Sequence, residues 1–590
     1  MLKKIKIGLL VLAMLANLLL CVACAGEEAS GGDTSAPASA TEDTSAQTPD
    51  VAPVEKLIIA SNKNFNYNII YPKQTQDFAK EEVDNFLLYL KDITKLSPTC
   101  RNDNGEYDAE QLEIYIGNTR HKESADALSQ IGYGEYIVAR IGNKIVVNAY
   151  DKSALHEGIN VLFKALRENS TAEELILPGD LNIKKDLSPM ITSVPKLEGA
   201  VPVSYTVRDD QAYVLAFEKA ASDSISVYSA LLESKGYVKF AENTMAENSF
   251  ATYTNDELIV NLAYFKEERS FHVAVDSKTD FDLPSSGVST GKTDVKEEMY
   301  LLGVSEGTFQ NGMSVFFRLA DGRFVIYDGG GANGAEDAEN LYKQLKASAD
   351  EAGVENITVA AWIITHCHAD HVACYNAFLN GNYVKDKNID IQNIIISPTS
   401  YNYGEAASEG ASAEASALVN ALVKAPKANI IIAHAGQVFE FAGTRIEILY
   451  TLDAMMPYDF GTQADMYNAA SIVSKVYIDG KTVLMTGDCY TDGADFLTDN
   501  YGEYLKSDCL QVPHHGASNG GTVEFYKTVA PSYLAWPSGD KLFAQTTAGT
   551  GFNSKDKNLY LLDTMGLRNK CSVAGSIGKV TKIFEKMSAS

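Results

Sequence analysis

The sequence predicts an α/β protein: two mixed β-sheets packed together with helices outside form a C-terminal domain over 295–590, behind two small α/β or α+β accessory domains over 56–190 and 195–280. Three observations predict it. From Met299 onward, strand-type runs alternate with segments of helical periodicity. Over 195–280 one amphipathic segment precedes a series of strand-like runs. Over 56–190 short apolar runs mix with two amphipathic stretches. At 590 residues the chain exceeds what one core serves, and roughly 100–200 residues per domain fits this division.

Residues 1–24 read as an export signal. Lys3, Lys4 and Lys6 precede an apolar run over 7–20, short for a permanent span of about 20 residues. The run ends at Cys21-Val22-Ala23-Cys24, where small residues before a cysteine resemble a lipoprotein signal, although Cys21 stands where Leu is usual. The expectation is an exported protein on the extracellular face of the cell membrane, touching it only through a lipid on Cys24. Residues 25–55, rich in Ala, Ser, Thr, Glu, Asp and Pro, hold too few large apolar side chains for a core and read as a disordered linker.

In the first accessory domain the pattern gives a strand at 57–60, a helix over 75–96, a strand at 112–117 and a final helix over 153–166. Between them, 136–139 and 144–148 read as hairpin arms around Gly142-Asn143, a pair that tolerates positive φ. The second has a helix over 222–235, closed by Gly236, then strands at 237–240, 250–253, 258–264 and 271–275. The polar stretch 277–292 reads as a linker. In the C-terminal domain, strands at 314–319 and 323–327 flank Asp321-Gly322, a helix covers 335–352, and 359–365 is an almost wholly apolar strand. Further strands fall at 394–397, 429–433, 445–449, 472–478, 482–486, 510–513 and 533–535, with helices at 411–423, 493–501, 522–529 and 558–565.

The formal net charge of -27 disfavours extended nucleic-acid binding and long polyanions. The six cysteines beyond the signal region form no CxxC pair and suggest no disulfide framework.

The chemistry concentrates at His366-Cys367-His368-Ala369-Asp370-His371, directly after the apolar strand. His366 and His368 can grip one ion, and Asp370 and His371 a second about 3.5–4 Å away. Imidazole with carboxylate suits zinc, with manganese or iron as competitors. Two later strand ends complete the pattern. Met485-Thr486-Gly487-Asp488 offers a carboxylate that could bridge both ions, and Val512-Pro513-His514-His515-Gly516 offers a late histidine.

The order HxHxDH, then Asp, then His, each at a strand end, resembles the metallo-β-lactamase superfamily over about Met299 to Ile583. Within it the "TGD" and "PHHG" segments and Asn468-Ala469-Ala470-Ser471 are similar to the extracellular hydrolase domain of DNA-uptake competence proteins of the ComEC type. The teichoic-acid phosphorylcholine esterase domains are further relatives. The resemblance implies an αββα sandwich and two divalent ions, zinc with manganese as alternative, held by His366, His368, Asp370, His371, Asp488 and His515. It selects His515 over His514 as ligand, because the superfamily's late histidine often stands in Pro-x-His-Gly. It leaves His514 a neighbouring or proton-donating group. Many members place a histidine between the first motif and Asp488. The only one here, His434, reads as structural, and Asn468 stands where the competence-type branch has an Asn-containing segment. Asn468 is therefore expected at the first ion, its water or a substrate phosphate. Asp328 matches the family's early aspartate and is expected to orient the histidine loop.

Catalysis is thus expected from Asp370, His514 and Asn468 around a metal-activated water. The expected substrate is a small or polymeric phosphodiester. A lactam, lactone or thioester hydrolase of the same fold, and a surface binding protein with a vestigial hydrolase, are the alternatives. Cys367 and Cys489 read as packed residues, and His121, His156 and His272 as structural or exposed. Nothing in the pattern specifies an oligomeric state.

Overall fold

The structure, a computed structural model, describes residues 56–590 except 62–63, 74–77, 151, 172–173, 187–192, 198–199, 201, 203, 210–211, 306–310, 332, 398–416, 419, 456–465 and 551–554. The expected signal and linker over 1–55 lie outside the described residues, as does much of the helix expected over 411–423. Among the described residues no helix is long and apolar enough to cross a membrane. They fall into two compact units, divided between Lys196 and Leu197.

The first unit carries a six-stranded mixed sheet in the order Cys100–Asn102, Asn68–Tyr71, Glu113–Ile116, Lys144–Ala149, Glu135–Ile141, Asn182–Asp186. Helices Phe78–Thr94 and Lys152–Asn169 bury Val83, Phe86, Leu90, Leu155, Ile159 and Leu162 in its core. The hairpin at Gly142-Asn143 forms, with Ile141 opposite Lys144.

The second unit opens with an antiparallel sheet in the order Ser204–Asp209, Ala212–Phe217, Ser270–Ser277, Leu258–Phe265, Asn248–Thr254, Val238–Met245, with helix Ser224–Ser234. The sequence reading places no strand at 204–217, because Arg208-Asp209-Asp210-Gln211 breaks the apolar run. Pairing of Tyr213 to Val275 and Leu215 to Val273 supplies the partner that local pattern does not show. The stretch 277–292 is not a free spacer. Asp282 N donates to Ile430 O at 2.7 Å, Arg323 donates to Ser286 O at 2.9 Å, and Gln392 exchanges hydrogen bonds with the Val288 backbone.

Two sheets then stack. One runs Asn429–Ile432, Asn393–Ile396, Thr358–Ile364, Phe324–Gly330, Met313–Arg318, Glu298–Leu302, Val580–Lys582. The other runs Val438–Phe441, Thr444–Tyr450, Val473–Ile478, Lys481–Met485, Cys509–Gln511, Tyr533–Trp536, Cys571–Val573. Alternation along each strand assigns the faces. Phe317, Val325, Tyr327, Ile363 and Ile395 point inward to meet Ile446, Ile448, Val476, Val483 and Met485. Phe316, Ile326, Trp362, Ile364 and Ile394 point outward, under helices Gly334–Glu351 and Ala369–Asn380. Helices Thr491–Tyr501 and Val523–Val529 cover the other sheet's outer face. Strands such as Ile394-Ile395-Ile396 are apolar throughout because both faces are buried.

Strands 324–330, 358–364, 393–396 and 429–432 run parallel, as do 481–485, 509–511, 533–536 and 571–573. Thr365-His366, Gly487-Asp488 and Val512-Pro513-His514-His515 all leave C-terminal ends of such parallel strands.

Candidate metal centre

The strand Thr358–Ile364 ends on Thr365, and His368 stands immediately before helix Ala369–Asn380 in extended backbone. Asp370 and His371 therefore sit in the helix's first turn, where a carboxylate is favoured. Asp488 follows Gly487, whose φ is +52°. A Cβ on Gly487 would lie 2.8 Å from Thr365 Cβ, so only glycine lets the aspartate loop approach the histidine strand this closely. Gln511 braces that loop: its Oε1 accepts from Thr486 N and Gly487 N at 2.7 Å each, and its Nε2 donates to Gly487 O at 3.0 Å. His514 and His515 both have positive φ, 48° and 54°, a strained turn of the kind found at functional sites.

Asp370, His371, Asp488 and His515 each present one ligand atom, and these atoms lie within 4.8 Å of one another. Asp488 Oδ2 is 3.0 Å from His371 Nε2 and 3.1 Å from His515 Nε2, and Asp370 Oδ2 is 3.2 Å from His515 Nε2. His366 and His368 form the adjoining half. His366 Nε2 lies 3.1 Å from His368 Nδ1 and 3.9 Å from Asp488 Oδ2. Asn468 Oδ1 is 2.9 Å from His368 Nδ1. His514 Nε2 is 3.8 Å from Asp488 Oδ2 and 3.4 Å from Asn468 Nδ2. The structure thus brings all the sequence-predicted site residues to one place, with Asp488 between the halves.

Second partners fix the rings. Asp328 Oδ2 accepts from His371 Nδ1 and from Thr365 Oγ1, and its Oδ1 accepts from Thr365 N, each at 2.7 Å. His515 Nδ1 donates to Pro537 O at 2.6 Å, which leaves Nε2 to face the carboxylates. His434 takes no part. Its ring nitrogens meet Asp276 and Asp453 at 2.6 Å each. Cys367 and Cys489 are buried among apolar side chains. His272 is buried with Nδ1 on Asp453 O, His156 meets Glu82, and His121 stacks on Tyr115.

Electrostatics follow from burial and proximity. Burial, reinforced by the His371 charge, holds His366 well below the usual imidazole range. Burial opposes charge on His371 and His515, but the carboxylates outweigh it. Asp488, Asp328 and Asp370 hold His371 well above its usual value, and Asp488 with Asp370 pushes His515 up to about 10. Burial likewise opposes charge on Asp488, yet His371, His515 and His514 hold it well below the ordinary carboxylate range.

These residues fit a divalent cation. Among the described residues Asp488 Oδ1 is buried with no hydrogen-bond partner, which costs about 1–3 kcal/mol. Two imidazoles and two carboxylates converging on one point are the donors zinc, manganese and iron take.

Three neighbours brace these groups. Asn311 Nδ2 donates to Asp370 Oδ2, Ser471 Oγ accepts from Asp488 N at 3.1 Å, and Tyr490 Oη accepts from Asn468 Nδ2 at 3.2 Å. The Asn468 to Ser471 segment was legible only as a branch resemblance.

Comparison with known proteins shows what parts of this chain are similar to. Residues 307–385 match the model of the metallo-beta-lactamase superfamily. The competence protein ComA of Neisseria gonorrhoeae is 36% identical over 72 residues, 12% of this chain and 10% of that protein, so the match spans about a tenth of the curated relative. Among solved structures, a possible metal-dependent hydrolase from Veillonella parvula is 10% identical, covering 49% of this chain and 99% of its own, with a TM-score of 0.28. CmlA, a diiron β-hydroxylase from Streptomyces venezuelae, is 11% identical over 50% of this chain and 55% of its own, with a TM-score of 0.29. A long-form RNase Z from yeast is 12% identical over 50% and 39%, with a TM-score of 0.26. The segment 307–385, which carries His366, His368, Asp370 and His371, thus matches the metallo-beta-lactamase superfamily, and the two stacked sheets bring Asp488 and His515 beside it.

Proposed function

We propose that this protein is a cell-surface phosphodiesterase that uses a dinuclear metal centre to activate water. The observation that carries the reading is the convergence of Asp370, His371, Asp488 and His515, with Asp488 Oδ1 buried and without a hydrogen-bond partner among the described residues. Asp370, His371, Asp488 and His515 would hold one ion. His366, His368 and Asn468, sharing Asp488, would hold the other. Bound divalent ions supply charge that lowers the pKa of water and offsets charge on the reacting oxygens.

The chain's own groups do the rest. Asp328 and Pro537 O fix the tautomers of His371 and His515, so both Nε2 atoms face inward. Asn311 holds the orientation of Asp370. His514, 19% exposed at its side chain, lies between Asn468 and Asp488, where a substrate oxygen can meet it. A phosphodiester suits such a site because its two non-bridging oxygens can face both halves at once. The acidic chain favours a small or isolated phosphodiester over long nucleic acid. Export and lipid anchoring rest on the pattern over 1–24.

The test is a substrate panel on the purified mature protein with zinc, manganese or iron. Bis(p-nitrophenyl) phosphate is set against nitrocefin and a thioester, each with wild type and Asp488→Ala. Metal-dependent turnover of the phosphodiester, lost in the variant, supports the reading. Preference for nitrocefin or the thioester replaces it with another hydrolase. Equal inertness of both proteins on every ester points to a binding protein instead.

A further inference from the structure

We infer that the first unit carries a binding site for a neutral sugar ring, built by Arg101, His121 and Glu123 beside the half-exposed ring of Tyr107. Nothing in this site draws on the metal centre.

The platform beneath it is satisfied. Glu113 and Lys144 open neighbouring parallel strands, opposite each other in register, and both are buried. Glu113 accepts from Arg101 Nη2, Tyr115 Oη and Lys144 Nζ at 2.9 Å each. Lys144 Nζ also donates to Asp108 O and Gln111 O, at 2.6 and 2.8 Å, which pins the loop that carries Tyr107. The His121 ring stacks on Tyr115 at 5.1 Å and lies 5.5 Å from the Tyr107 ring. Tyr107 Oη donates to Glu123 Oε1 at 2.7 Å. These contacts join strand Cys100–Asn102, the 107–111 loop and the start of helix Lys122–Leu128 into one patch.

Three polar atoms of that patch are left over. Arg101 Nη1, His121 Nε2 and Glu123 Oε2 are each buried and have no hydrogen-bond partner among the described residues. Buried polar atoms are nearly always paired, as those of Glu113 and Lys144 beside them are. Arg101 Nη1 can only donate and Glu123 Oε2 can only accept. Burial lowers the His121 pKa, so at pH 7 the ring is neutral, with one donor and one acceptor nitrogen. Hydroxyl groups serve all three, because each both donates and accepts.

Charge and shape narrow the ligand further. The cations Arg101, Arg120 and Lys144 stand against the carboxylates of Asp103, Glu113 and Glu123, so the cluster has no net charge to offer an anion or a cation. Tyr107, 50% exposed, adds ring surface against which the C–H face of a sugar can pack. A few convergent polar groups beside an aromatic ring are the usual make-up of a small-molecule site.

The test is calorimetric titration of the purified mature protein with methyl β-glucoside and methyl N-acetyl-β-glucosaminide, set against methyl β-glucuronide and methyl β-glucosaminide as anionic and cationic counterparts. Wild type, Glu123→Gln and Tyr107→Ala are compared, with thermal unfolding of each. Glu123→Gln keeps the length of the side chain and an acceptor for Tyr107 but turns Oε2 into a donor. Wild type should bind a neutral glycoside in preference to both charged ones. Each variant should weaken that binding at least about tenfold, the loss of one hydrogen bond to a charged group or a comparable ring contact, with its unfolding midpoint unchanged. No binding of either neutral glycoside overturns the site. So does tighter binding of a charged glycoside, binding that either variant leaves intact, or binding lost only where the variant has also unfolded.

Discussion

Replacing Asp328 with Asn removes one negative charge from beneath the histidine loop and leaves its shape almost unchanged. Asp328 is fully buried, with φ of +53°, a conformation Asn tolerates better than any residue but Gly. The carboxylate accepts three hydrogen bonds, from Thr365 N, Thr365 Oγ1 and His371 Nδ1. An amide presents one acceptor oxygen and one donor nitrogen, so at least one of these donors must face an N–H. Hydrogen bonds to a charged group contribute about 1.5–3 kcal/mol each, so losing one or two amounts to roughly 1.5–6 kcal/mol across stability and metal binding. The part felt by the metal should follow the usual effect of disturbing a ligand's outer partner, about 10–100-fold in affinity. The assay is competition with a chromogenic chelator, read with thermal unfolding of the metal-free protein. Asp328→Asn should bind metal about 10–100-fold more weakly and recover part of its activity at saturating metal. Wild-type affinity in the variant would refute the claim that Asp328 orients His371.

Other perturbations probe separate joints. Gly487→Ala places a Cβ 2.8 Å from Thr365 Cβ at φ +52°, and should lower stability by about 2–5 kcal/mol and release metal, seen by denaturant unfolding and metal analysis. His434 is held between Asp276 and Asp453, and against burial the two carboxylates raise it to about 9. Its contribution is fully present below the unfolded value near 6.5 and is lost as pH rises through about 9. Wild type should therefore lose about 3 kcal/mol of stability across that window, and His434→Gln should show no such slope. In the metal-free cluster the carboxylates keep His371 and His515 protonated at neutral pH, so loading metal should release about two protons, measurable by calorimetry in buffers of different ionisation enthalpy. Metal affinity should accordingly rise with pH, and buffer-independent heats would contradict this.

What could be seen in the sequence was the chemistry carried by short-range spacing. His366, His368, Asp370 and His371 occupy one strand end and one helical turn, so local order alone places them together. Asp488 and His515 were found through their order and their strand-end positions, and Pro-x-His-Gly separated His515 from His514. The braces were not legible. Gln511 acts through backbone groups 24 and 25 residues away, Asn311 reaches Asp370 across 59 positions, and His434 reaches Asp276 across 158. A single amide or acid that binds a distant loop leaves no periodic trace, because only the tertiary fold creates its partner. The strands over 204–217 escaped for a related reason: their register comes from distant pairing, Tyr213 to Val275 and Leu215 to Val273. The αββα layering was readable because both sheets' strands are apolar on both faces while the intervening helices are amphipathic.

Metal equivalents bound per chain, in wild type against Asp488→Ala, give the shortest route to the centre of the account. After dialysis against zinc or manganese and removal of free ion, wild type should retain two equivalents and the variant should lose the shared carboxylate's hold on both. A wild-type protein that folds yet retains no more metal than Asp488→Ala would mean that the cluster of Asp370, His371, Asp488 and His515 is a buried ion-pair network and not a metal centre.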